Sequence, residues 1–183
     1  MRRNNVSLVR EDGGPVGEPV REALGRIVRT IEGISRGTFK YHSGVKLIIK
    51  STPGYSYHFA GTYEIIIRPG YESTLRVDNK SFGGTNNYGM LAHELAHFIS
   101  LRDNAYIQNR YTKDVTVACN LTKYTFANRR EEFAEVFSSF LTNPDLLNNG
   151  TTSCKEAKIF LSDLFGEAKH MASNCESRRE SLE

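Results

Sequence analysis

The sequence predicts an α+β fold, with a small sheet in the first half of the chain and helices in the second. Three observations carry this. Residues 38–68 contain short β-branched and aromatic runs separated by turn signals. From Tyr88 onward, apolar residues recur at helical spacing. The 183 residues show no internal repeat and are enough for one domain with a real core.

Taken in order, residues 1–17 are polar and contain Gly13-Gly14-Pro15. They are expected to form a flexible tail, leaving 18–183 as a single domain. From Pro19 to about Ile34, Val20, Leu24, Ile27, Val28 and Ile31 fall on one helical stripe, and Pro19 suits the first turn. This helix should back the sheet. Val45-Lys46-Leu47-Ile48-Ile49 reads as a buried strand. Tyr55 to Ala60 and Tyr63 to Arg68 read as a hairpin about Gly61-Thr62. The second arm, Tyr63–Arg68, is a candidate edge strand. Residues 71–87 carry loop signals. One helix is expected from about Tyr88 to Leu101 and a second from about Asn128 to Leu141, stopped by Asn143-Pro144. Ser153 and Glu156 have capping-box spacing and should open a last helix.

Composition narrows the function. The net charge is only +3, with no strong basic stripe, so nucleic acid is not the expected partner. No apolar run reaches membrane-spanning length. Met1-Arg2-Arg3-Asn4-Asn5 leads into no apolar stretch, so no signal peptide is expected. Cys119, Cys154 and Cys175 lack CxxC spacing, which argues against a cysteine-ligated zinc site. Cys154 and Cys175 lie at opposite ends of the last helix and should not bridge each other. Cys119 can pair with one of them, but an odd thiol remains, and all three are read as free.

The chemistry centres on His93-Glu94-Leu95-Ala96-His97, an HExxH pattern. On a helix, positions i and i+4 share a face, so both imidazoles can reach one ion. Glu94 sits about 100° away at 100° per residue, where a base for a zinc-activated water is needed. Leu91, Ala92, Leu95, Ala96, Phe98 and Ile99 lie on the other side and can pack. The pattern is short and has false positives; the bland alternative is an amphipathic helix with incidental histidines.

Catalytic zinc takes three protein ligands. No histidine follows His97 within a short turn, and the next is His170. The third ligand is therefore expected to be a carboxylate from another helix, and Asn128–Phe137 supplies two at i and i+4: Glu131 and Glu135. Glu131 is the expected metal ligand. Glu135 can instead accept a hydrogen bond from a ligating imidazole and fix its tautomer. Glu132 is expected to point away into solvent. Tyr124, seven residues before Glu131, can donate to an oxyanion, although a lone tyrosine more often packs.

HELAH, Tyr124-x6-Glu131 and Glu131-Glu132-Phe133-Ala134-Glu135-Val136-Phe137, running on to Asn143-Pro144, together resemble the catalytic domain of anthrax lethal factor and the Pro-Pro endopeptidases. The resemblance covers roughly residues 88–147. It implies a zincin-like fold and a gluzincin endopeptidase. It also implies Zn2+ held by His93, His97 and Glu131, with Glu94 as general base, Tyr124 as transition-state donor and Glu135 behind a ligand. It further implies a secreted or host-targeted protein. A monomer is expected, and an extended peptide can pair with the Tyr63–Arg68 strand and lie across the zinc. Ala96 departs from the glycine frequent at that position. HELAH and the Glu-containing helix also resemble, less closely, the ImmA/IrrE-type peptidases that act on repressors, whereas the Tyr124 spacing and the Asn143-Pro144 ending favour the first family. A non-catalytic zinc module on this scaffold is the alternative from another class.

Overall fold

A computed structural model describes residues 6–16, 18, 21–22, 24–25, 28–29, 45–50, 57–58, 64–67, 88–122, 125, 127–142 and 144–180. Among the described residues the first half holds four strands: β1 (Val6–Arg10), β2 (Val45–Ile49), β3 (Tyr57–His58) and β4 (Glu64–Ile67). Five helices follow: α1 (Tyr88–Ser100), α2 (Arg102–Asp114), α3 (Arg129–Thr142), α4 (Asp145–Asn148) and α5 (Thr152–Glu180). The fold is α+β and mostly helical.

The sheet order is β1-β2-β4-β3. β1, β2 and β4 run parallel, while β3 is antiparallel to β4 with Tyr57 opposite Ile66. Val45, Leu47 and Ile65 are fully buried, so the apolar runs provide the sheet's contribution to the core. Two expectations change here. Val6–Arg10 is not a loose tail: Val6, Leu8 and Arg10 pair in register with Val45, Leu47 and Ile49. The alternation of Val6, Leu8 and the intervening polar Ser7 is strand patterning too short to stand out beside the glycines that follow. Likewise the edge beside β4 is β3; β4 lies inside the sheet, between β2 and β3.

Residues 18, 21–22, 24–25 and 28–29 are helical, with Leu24 and Val28 buried in the core. They lie in the connection between the parallel strands β1 and β2, where a crossover helix belongs. The other residues of the expected stripe lie outside the described ones. One apolar cluster extends from Leu24 and Val45 through Leu91, Leu95, Phe133 and Phe137 to Leu161 and Leu164.

α1 is the central helix. Leu91, Ala92, Leu95, Ala96, Phe98 and Ile99 are all buried, and so are His93 and Glu94 on its polar side. Helix α3 covers that polar side in the most extensive contact between any two described elements, and β3 and β4 also pack on α1. Ser138 Oγ donates to the Gly89 carbonyl at 2.7 Å, fixing α3 against the start of α1. Asn128 caps α3: its Oδ1 accepts from the backbone N–H of Arg130 (2.9 Å) and Glu131 (3.1 Å).

Helix α2 is absent from the sequence expectation. Its residues are mostly polar, and among its described side chains the buried ones are Ile107, Gln108 and Tyr111, a stripe too narrow to mark a helix by apolar period. Its presence overturns the reading of Glu132 as solvated. α2 and the segment after it cover that side of α3, and Glu132 is fully buried. Tyr111 Oη and the Cys119 backbone N–H each donate to Glu132 Oε1 at 2.9 Å. Arg129 Nη1 donates to Oε2, and its other Nη donates to the Val115 carbonyl. The guanidinium also lies over the Tyr111 ring, 5.1 Å from its centroid. Burial, then the Glu132 charge, pushes the Tyr111 hydroxyl well above its usual range, so it stays a donor.

The expectation of free cysteines also fails. Cys119 and Cys154 form a disulfide with Cα atoms 4.5 Å apart. The segment after α2 folds back onto the first turn of α5, where Ser153 Oγ donates to the Ala118 carbonyl at 3.0 Å. Ser153 therefore staples that segment instead of capping α5, which begins one residue earlier at Thr152.

Glu132→Ala would leave Arg129, the Tyr111 hydroxyl and the Cys119 N–H without their common acceptor. The expected loss is about 3–5 kcal/mol of stability, as for breaking a buried ion pair. Urea denaturation checks it; a loss within about 0.5 kcal/mol, as at an ordinary surface site, would show that Glu132 is solvated after all.

Candidate metal centre

Two helices with matching i, i+4 pairs face each other. His93 and His97 project from α1, and Glu131 and Glu135 from α3. The packing of α1 on α3 brings three ligand atoms to one point. His93 Nε2 and His97 Nε2 are 3.0 Å apart, and Glu131 Oε2 is 3.1 Å from each. His93, His97 and Glu131 can hold a metal ion.

Glu135 takes a different position. Its Oε1 lies 2.7 Å from His93 Nδ1, with both side chains shut off from solvent. A carboxylate accepts, so Nδ1 carries the proton and Nε2 presents its lone pair to the other two ligand atoms. His93 Nε2 and the Glu131 oxygen are then both acceptors 3.1 Å apart, and they repel unless a cation or a proton is shared with them. Such an arrangement fits a metal ion and is costly without one. Burial alone would raise the Glu131 carboxyl, but the hydrogen bonds and charge of His93 and His97, when those rings hold such a proton, outweigh it and hold it well below the usual carboxylate range. Glu131 thus presents an anionic oxygen.

The centre is not sealed. His93 is 1% exposed, whereas His97 is 13% and Glu131 20% exposed. It opens on the His97–Glu131 side. Glu94, next in chain to His93, is buried at 2%. Tyr124 lies outside the described residues.

The sequence offered no signal for one residue of this centre. Thr122 Oγ1 donates to Glu135 Oε2 at 3.0 Å. It comes from the irregular segment between α2 and α3, where no periodicity assigns a side chain a direction.

Glu131→Ala should remove a ligand and lower metal affinity sharply. Glu135→Ala should leave the three ligands and cost about 10- to 100-fold. Competition with a chromophoric chelator measures both, and a Glu135→Ala loss larger than that of Glu131→Ala would reverse the two roles. The chain matches no protein-family model and no curated protein sequence.

Proposed function

We propose that the chain is a zinc endopeptidase on a zincin-like scaffold, of the toxin- or effector-like kind. The observation that carries this reading is the convergence of His93 Nε2, His97 Nε2 and Glu131 Oε2 at 3.0–3.1 Å, with the tautomer of His93 fixed by Glu135. Tetrahedral zinc bonds of about 2.0–2.2 Å place ligand atoms about 3.3–3.6 Å apart. The observed separations are a few tenths of an ångström shorter, a difference that slight side-chain rotation removes. Two imidazoles and one carboxylate are the donor set of hydrolytic zinc sites that keep a fourth position for water.

When bound there, zinc polarises a peptide carbonyl and lowers the pKa of the attacking water. The chain's own residues supply the rest. Glu94 accepts the proton of that water and passes it to the departing amine. Tyr124 donates its hydroxyl to the oxygen that gains negative charge. Glu135 holds the His93 ring in one orientation, so no reorganisation is needed as charge develops. Backbone pairing with β3, the edge strand packed against α1, would draw an extended peptide past the open side of the centre.

Purified protein should bind one zinc per chain, and His93→Ala should abolish most of that binding. Glu94→Gln should keep the metal and lose cleavage of a peptide library, because the amide cannot accept a proton at neutral pH. Retention of activity within about threefold, a barrier change below about 1 kcal/mol, would exclude Glu94 as the base. Tyr124→Phe should lower kcat by about 100- to 1,000-fold with zinc content unchanged. An unchanged kcat would leave Tyr124 a packing residue.

A further inference from the structure

We propose that Thr122 is a positioning residue of the metal centre, and that the Cys119–Cys154 disulfide holds it in place. This rests on the zinc reading above and extends the centre outward by two links. Glu135 uses one oxygen for His93 and the other for Thr122. A carboxylate fixed at both oxygens cannot rotate, so the hydroxyl of Thr122 sets the angle at which the His93 ring faces the metal.

Thr122 belongs to neither helix nor strand. Its position therefore depends on how the segment from Val115 onward is anchored. The anchors cluster at Cys119 and just beyond it. The backbone N–H of Cys119 donates to Glu132, its carbonyl accepts from the Leu121 N–H at 3.0 Å, and its sulfur is bonded to Cys154. Thr125 closes the far side, its Oγ1 donating to the Thr122 carbonyl at 2.7 Å. Cys119 and Thr122 are three residues apart, a reach of about 10 Å at most. The covalent bond to α5 thus acts within one short turn of the residue that steadies Glu135. Both sulfurs belong to buried residues, as suits a permanent tie.

Zinc affinity of the full chain, read by chelator competition beside the melting temperature of the metal-free form, tests this. Thr122→Val should weaken zinc binding about tenfold, the low end for outer support of a ligand, and lower the metal-free melting temperature by a few degrees, because the buried Glu135 loses one donor. Thr122→Ser, which keeps the hydroxyl, should restore affinity to within about twofold. The Cys119→Ser/Cys154→Ser chain should melt earlier, remain folded by circular dichroism at room temperature, and bind zinc about tenfold more weakly. Combining it with Thr122→Val should add little, because both act through one contact.

Equal zinc affinity in all these forms would overturn the proposal and leave the zinc reading standing. Fully additive losses would overturn the link between disulfide and Thr122. A cysteine double variant that is unfolded would make the disulfide a global staple and overturn the same link. If no form, the parent included, binds zinc, the reading beneath the proposal falls with it.

Discussion

The hydrogen bond between His93 Nδ1 and Glu135, 2.7 Å long and closed to solvent, joins the two helices on which the molecule is built. A buried carboxylate is expensive to place unless it is well partnered. Glu135 meets that demand with an imidazole on one oxygen and a threonine hydroxyl on the other. The arrangement works only if α3 lies flat along α1 in a single register. The apolar backs of both helices, with Leu95 and Ile99 on one and Phe133 and Phe137 on the other, enter the same core, and Ser138 pins the pair at its far end. Packing and polar pairing therefore specify the same geometry.

Three glutamates within five residues of α3 have three distinct surroundings. Glu131 stands at the rim of the metal centre, Glu135 lies beneath it, and Glu132 is turned toward α2 and the segment after it. Rotation of about 100° per residue separates them. The division is useful electrostatically. Glu132 is matched by Arg129 and by two neutral donors, so its charge is largely satisfied within the scaffold. Glu131 and Glu135 are directed to histidines, so their charge remains available to a cation.

The site was legible from sequence to the extent that it obeyed helical period. His93, His97, Glu131 and Glu135 were assigned to facing pairs because i, i+4 spacing places side chains on one face whatever surrounds the helix. Glu132 was misread for the complementary reason. Its neighbours come from α2 and from Cys119, and neither leaves a periodic trace: few of the described side chains of α2 are buried, and the segment after it is irregular. Thr122 and the disulfide were hidden in the same way, since chain reversal between α2 and α5 decides which residues meet. In the sheet, the hairpin arms followed from composition. The place of Val6–Arg10 did not, because five residues ahead of a Gly-Gly-Pro turn carry too little pattern to outweigh it.

That first strand has a consequence for how the chain tolerates shortening. β1 is the outermost strand on its side, hydrogen-bonded along Val45–Ile49. If it is removed, β2 becomes the border, a run of Val, Leu and two Ile interrupted by one lysine. An apolar strand with unpaired backbone groups invites pairing with another chain. Starting the protein after Arg10 would thus leave the helical half untouched in sequence, yet turn a capped sheet into a template for self-association. During folding the same hazard lasts until residues 6–10 reach a partner nearly forty positions away, a non-local closure that forms late compared with the helices.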